Sequence, residues 1–338
     1  MKLEEKHRKY IVAVILVIFL LQLLSSGLLG LLVDVLQTPE ATTLLLFLGT
    51  GYVIRPAAPT PTEAATEPVT ETQPPAVSEA LPPTGAQAVF APEDAGLVRV
   101  NSVCGYDADV KDYLSQSLSW NLKQDGPTVL IIHSHGTESY TQTENYQESS
   151  PYRTRNVGYN VVSIGDRLVQ VLEMGGVHAI HDRTMHDDPS YNAAYNNART
   201  SIADLLKKYP TVRLVLDIHR DSVENSQGEQ VRMTTQINGV STAQLMLVVG
   251  TDAGGLTHPN WPENMSLAVK LHAQLEKNSP GICRPISFRS QRFNQDLSPG
   301  ALIVEVGSAG NTRQEALLAV EQLGQAIIDL ANGATSAD

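Results

Sequence analysis

Along this chain an uncharged apolar run, a polar proline-rich stretch and a series of short aliphatic segments follow one another in that order. The first run, residues 11–33 (IVAVILVIFLLQLLSSGLLGLLV), slightly exceeds the roughly 20 residues a helix needs to cross the hydrocarbon layer. It is also longer than the ~7–15-residue apolar core of a signal peptide. It predicts a transmembrane anchor. Lys2, Lys6, Arg8 and Lys9 precede the run, whereas Asp34 and Glu40 follow it and the next basic residue is Arg55. The positive-inside rule then puts residues 1–10 in the cytoplasm as a short tail and everything after Val33 outside, a single-pass cell-membrane protein. A second apolar patch, residues 43–54, is too short to span. Residues 56–83 are rich in Pro, Thr, Ala and Glu and hold too little apolar surface for a core. Residues 34–88 therefore read as a juxtamembrane segment and an extended extracytoplasmic linker, rising ~3.1 Å per residue where it is polyproline.

From residue 89 to residue 332 the pattern changes to one domain's worth of alternating elements, with 333–338 left as a tail. Aliphatic runs without alternation, such as 129–132, 212–218, 244–250 and 302–306, predict strands buried on both faces of a parallel sheet. Between them, residues 161–174 (VVSIGDRLVQVLEM) carry aliphatic positions at helical spacing and stop at Gly175-Gly176. Residues 191–209, ended by Pro210, then a segment starting near Pro262, and finally 313–332 before Gly333 predict three more helices. Strands separated by helices predict an α/β fold, a mostly parallel sheet with helices on both faces.

Composition narrows the function classes. The charged fraction is low, at 18%, which fits a chain carrying a membrane segment, and the net charge of -12 excludes a nucleic-acid binder, which needs clustered Lys and Arg. No glycine-rich phosphate loop is present. Cys104 and Cys283 both fall outside the membrane on this topology, where a disulfide is permitted. Two isolated thiols remain equally compatible with the spacing.

Three strand ends carry the chemistry: His133-Ser134-His135-Gly136-Thr137-Glu138, then Asp217-Ile218-His219-Arg220-Asp221, then Glu305. Ligand sites in open α/β sheets lie beyond the carboxyl ends of the strands, so three distant segments can converge on one edge. Catalytic zinc takes three protein ligands of the His and Asp/Glu types and leaves a position for water. His135, Glu138 and His219 are the candidate ligands. Glu305 is the candidate acid/base that deprotonates a metal-bound water and returns the proton to the leaving nitrogen. The spacing leaves His133 open as an alternative to His135, and Glu144 or Glu148 as alternatives to Glu138. Asp217 and Asp221 are candidate acceptors holding the His219 ring. Arg220 is a candidate clamp for a substrate carboxylate or oxyanion, or else an ion-pair partner of Asp217 or Asp221. His181 and His186 follow another strand end, and His258 and Trp261 sit in a loop-like segment, each with a structural role as its rival.

The motifs HSHGTESY from His133, IHDRTMHD from Ile180, SYNAAYNNAR from Ser190, LDIHRDS from Leu216 and FNQDLSPGALIVEVGSAGNTRQEA from Phe293 make the chain resemble the stage II sporulation protein P family. The resemblance runs from about Val129 to the end of the domain, and the anchor and tether are also typical. It implies a peptidoglycan amidase and endopeptidase acting in engulfment during sporulation at the mother-cell membrane, cleaving the N-acetylmuramoyl–L-alanine bond with Zn2+. It implies two partners, the sporulation membrane protein M and the glycan-cleaving protein D. Carried over by motif, it implies His135 and His219 as zinc ligands and Glu305 as the acid/base, with Glu138 a weaker transfer. Phe293 stands where many relatives would have tyrosine. A zinc carboxypeptidase-like wall peptidase and a non-catalytic wall-binding scaffold are the competing expectations.

Overall fold

The computed structural model describes residues 88–143, 146–147 and 152–333. The expected anchor at 11–33, the linker up to residue 87, Glu144, Glu148 and residues 334–338 lie outside the described residues. Among those described, no helix is long and apolar enough to cross a membrane.

The apolar runs become strands because alternate side chains enter cores on opposite faces of a single sheet. Its seven strands are β1 (Val100–Ser102), β2 (Val129–Ile132), β3 (Ala179–His181), β4 (Leu214–Asp221), β7 (Leu245–Val249), β8 (Ile286–Phe288) and β9 (Gly300–Ser308), in the order β1-β8-β7-β9-β4-β2-β3. Neighbours run parallel throughout, apart from β7 against β9. The fold is mixed α/β, with helices on both faces of this sheet. Strands β5 (Thr234–Ile237) and β6 (Val240–Ala243) form a separate hairpin.

Val129 and Ile131 of β2, Leu214, Leu216 and Ile218 of β4, and Leu302 and Val304 of β9 point into the larger core. There they meet Ile164, Leu168 and Leu172 of α2 (Val161–Met174), Val269 of α4 (Trp261–Asn278), and Val320 and Leu323 of α5 (Arg313–Asn332). Leu130, Ile132, Val215 and Ala301 face the other way, onto Ala198 and Ile202 of α3 (Ala194–Lys208). Burying each such Leu or Ile contributes about 1.5–3 kcal/mol. A short helix, α1 (Val110–Ser115), supplies the buried Tyr113 and Leu114.

Local signals set the helix ends. Asn160 caps α2 by accepting from the Val162 N–H, and Thr312 and Glu315 cap α5 reciprocally. Both strands that carry the candidate chemistry run on past their aliphatic residues. β4 continues through His219 to Asp221, and β9 through Glu305 to Ser308. Continuous pairing of these two strands, with His219 opposite Glu305, holds both residues within the ladder rather than in a loop after it.

Candidate active site

The parallel ladder β2-β4-β9 sets the site. His219 and Glu305 are side by side on neighbouring strands, and Ile132 pairs with Asp217, so the turn after β2 starts beside them. Period-two alternation sends Asp217, His219 and Glu305 to the α3 face, opposite the larger core that takes Leu216, Ile218 and Val304.

His219 is buried between two carboxylates. Its Nε2 lies 2.9 Å from Asp217 Oδ1 and 2.9 Å from Ser134 Oγ, and its Nδ1 lies 3.4 Å from Glu138 Oε2. Burial alone would lower its pKa, but the charges and hydrogen bonds of Asp217 and Glu138 prevail and raise it well above the ordinary value. Asp217 also accepts from the Ser134 N–H at 2.8 Å and from the Ser134 hydroxyl. Against the cost of burial, His219 and these bonds bring it down to about 2.

Glu138 sits one turn after His135, its N–H donating to the His135 carbonyl at 3.1 Å. Its carboxylate accepts from the Arg220 N–H at 3.2 Å and lies within 3.6 Å of the guanidiniums of Arg220 and Arg153. Burial opposes its ionisation. The His219 hydrogen bond and the Arg220 charge outweigh that and lower it to about 2. Glu305 is the opposite case. Burial dominates there and, joined by the negative charges of Glu138 and Asp221 against the pull of His219 and Arg220, holds its carboxyl up at about 8. Its Oε2 is buried without a hydrogen-bond partner.

His135 lies over this group, its ring 5.4 Å from that of His219, stacked on Tyr191 at 4.4 Å and edge-on to Tyr195 at 5.4 Å. Its Nδ1 is buried without a hydrogen-bond partner and faces Asp187 Oδ2 at 3.9 Å. Asp187 is fixed in turn by the Thr137 N–H at 3.1 Å and by Arg153 at 2.9 Å.

His135, Glu138, His219, Glu305 and Asp217 are thus brought together. Of the other expected residues, Arg220 stays at the cluster behind Glu138 and the rest are placed elsewhere. His133 points to the opposite face of the sheet, donating from Nδ1 to the Ile218 carbonyl at 2.9 Å and meeting His181 Nε2 at 2.8 Å, and burial lowers it to about 3. Asp221 binds Arg284 at 2.6 Å rather than His219. The Arg220 side chain is spent on the Ser139 and Tyr152 carbonyls, at 2.9 and 2.7 Å, and pairs with neither Asp217 nor Asp221. It braces Glu138 from behind and is buried. His181 also bonds Asp166, His186 bonds Asp182, and Trp261 packs on Tyr106 and Phe288. Both cysteines are free thiols.

Sequence reasoning passed over Ser134, Arg153, Asp187, Tyr191 and Tyr195. Asp187, Tyr191 and Tyr195 stand within the quoted motifs, yet no spacing rule marks a residue that acts by holding another.

The donor set suits a metal ion: two imidazoles and a carboxylate, one imidazole held by an aspartate through its other nitrogen, and buried orphan atoms on His135 and Glu305. Among the described residues, the group of such side chains whose ligand atoms already lie within 4.8 Å of one another is His272, Glu276 and Cys283. There the Glu276 carboxylate accepts the Gly281 and Cys283 N–H groups at 2.8 Å each, the work of a turn clamp.

Among solved structures, the chain is similar to the N-acetylmuramoyl-L-alanine amidase AmiC2 of Nostoc punctiforme, at 15% identity and TM-score 0.35 over 62% of this chain and 97% of that one. It is also similar to an N-acetylmuramoyl-L-alanine amidase of Clostridium difficile 630, at 15% identity and TM-score 0.37 over 61% and 95%. Those likenesses are too slight to carry an argument. The stage II sporulation protein P of Bacillus subtilis (strain 168) is 30% identical over 219 residues, 59% of this chain and 52% of that protein. The chain thus spans about half the length of that curated relative. The family model for stage II sporulation protein P matches residues 62–328, which takes in every strand among the described residues and the whole strand-end cluster. On that match the chain belongs to the stage II sporulation protein P family.

Proposed function

We propose that this chain is a membrane-anchored peptidoglycan hydrolase that cleaves the N-acetylmuramoyl–L-alanine amide bond during sporulation, with Zn2+ held by His135, Glu138 and His219. The observation that carries the reading is Glu305: a buried carboxyl with an unpartnered oxygen, next to His219 on the neighbouring strand and held near neutrality at about 8. A bound zinc ion would supply Lewis acidity toward the amide carbonyl and toward water. The residues do the rest. Asp217 and Ser134 fix the His219 ring through Nε2 and leave Nδ1 facing Glu138. Asp187 and Tyr191 set the plane of His135. Glu305 takes the proton of the attacking water on a carboxylate oxygen and delivers it to the leaving amide nitrogen. A group whose pKa lies near the working pH can do both.

Family membership and the apolar run at 11–33 support the rest of the reading: a single-pass protein with its catalytic domain outside, acting on the septal wall from the mother-cell membrane. Protein M, protein D and an accompanying endopeptidase activity belong to the same proposal. The test incubates the full-length protein with peptidoglycan, with and without chelator and alongside Glu305→Ala, and identifies the fragments by mass spectrometry. Free stem peptides with intact glycan chains, lost with chelator and in the variant, are the expected result. Folded, zinc-loaded protein that releases nothing, even with both partners added, would overturn it.

A further inference from the structure

Beside the strand-end cluster a cleft of about 510 Å3 opens between the start of α3 and the loops that follow β7 and β8. Tyr195 belongs to both, its ring 6.5 Å from that of His219 and 5.8 Å from that of Phe293 in the cleft wall. That wall is held rigidly. A Cβ on Gly250 would meet the Gln291 carbonyl at 2.2 Å, and one on Gly254 would meet the Ser290 carbonyl at 2.6 Å, so the two loops touch backbone to backbone. Gln295 stitches them to β7, accepting the Gly250 N–H at 2.7 Å and donating to the Val248 carbonyl at 2.9 Å. Phe293 and Asn294 both hold positive φ, 52° and 61°. Such backbone costs a residue with a Cβ roughly 1–2 kcal/mol and persists where the surroundings impose it, which is common at binding sites. Here Asn294 Nδ2 donates to the Tyr195 carbonyl at 2.7 Å, tying the strained pair to the helix that bears the shared tyrosine.

The charge of the wall runs against that of the chain. Asp296 takes both oxygens' worth of hydrogen bonds from Arg199, at 2.8 Å each, and is approached by Arg292 Nε at 3.2 Å, so two guanidiniums share one carboxylate. Arg292 lines the cleft, donates from Nη1 to the Thr257 carbonyl at 3.3 Å, and keeps Nη2 without a partner among the described residues. We propose that this cleft receives the peptide on the leaving side of the scissile amide, and that Arg292 pairs there with one of its carboxylates. The inference rests on the amidase reading. In that substrate the acyl carboxyl is consumed in the amide itself, and the remaining carboxylates belong to the peptide. A guanidinium already oriented by an aspartate offers such a group a charge-assisted hydrogen bond in fixed geometry.

The test is calorimetric titration of the full-length protein with a wall stem peptide bearing free carboxylates, and with the same peptide fully amidated. The wild type is expected to bind the free acid about tenfold tighter, the worth of one hydrogen bond to a charged group. Arg292→Gln is expected to collapse that ratio to near one while leaving the amidated peptide's affinity unchanged, and Arg292→Lys, the conservative control for folding, to keep part of it. An undiminished ratio in Arg292→Gln, or no preference in the wild type, would overturn the assignment. Because binding is read without turnover, its outcome is separate from that of the cleavage assay, whose failure would remove the amidase reading whatever the peptide does.

Discussion

His219 shows how one buried side chain takes its chemistry from its neighbours. Two carboxylates flank it, and of these Asp217 makes the shorter contact, 2.9 Å against 3.4 Å for Glu138. Removing that charge in Asp217→Asn is expected to lower zinc affinity about 10–100-fold, the usual effect of losing the partner that orients a ligating histidine. Competition with a chromogenic chelator measures it, and unchanged affinity would remove Asp217 from that role. Glu305 gives a prediction of opposite sign. Its folded pKa of about 8 lies above the ordinary 4.5, so in metal-free protein the folded state binds the extra proton across that window. The stability linked to this proton is present below about pH 4.5 and is lost as pH rises through 8. Glu305→Gln, which carries no such proton, is expected to lose less stability than wild type between pH 5 and pH 9 in thermal melts of metal-free protein. Parallel curves would show that Glu305 ionises normally.

At the scale of elements, α2 packs through a glycine against the back of the strands that carry the candidate site. A Cβ at Gly165 would lie 2.6 Å from His181 Nε2 and 2.8 Å from His133 Nε2, so the close approach of the helix to this histidine pair requires the absence of a side chain. Gly165→Ala is expected to destabilise the fold by about 1–3 kcal/mol through overpacking, read as a lower denaturation midpoint at unchanged slope. No loss would mean that the histidine rings move aside. The pair itself was hidden from sequence reading, because His133 and His135 are both polar residues after a strand and nothing local tells which face each takes. The structure decides through pairing: β2 alternation continues one residue past Ile132 and turns His133 to the α2 side. Helices were easier. The spacing in 161–174 and 313–332 matches α2 and α5 end to end, since each carries its own cap and an apolar stripe. The hairpin of β5 and β6 was missed although Asn238-Gly239 is the dipeptide such a tight turn favours, because its strands carry few aliphatic residues.

Over the whole molecule, buried neutral histidines make acid the hazard. Burial lowers His133 to about 3, and His258 and His272 to about 4. Each folded pKa lies below the unfolded value near 6.5, so the unfolded chain binds these protons first. The stability they contribute is complete above about pH 6.5 and is lost as pH falls toward 4, at a slope of at most about 1.4 kcal/mol per pH unit for each. The melting temperature is expected to fall between pH 6.5 and pH 5. His272→Gln, away from the strand-end cluster, is expected to flatten the decline, and an equally steep curve would exclude that residue as a source. From the sequence alone came the buried parallel strands, the helix limits and the identity of His135, Glu138, His219, Asp217 and Glu305 as polar groups ending or interrupting apolar runs, because periodicity and residue chemistry are local properties. Tertiary structure alone decided that β7 runs against β9, that His133 and Asp221 face partners away from His219, that Arg220 backs Glu138, and that Asp187, Tyr191 and Tyr195 close over His135. Those outcomes depend on which face a side chain takes and on which distant segment meets it there, and both are set by strand pairing across the sheet.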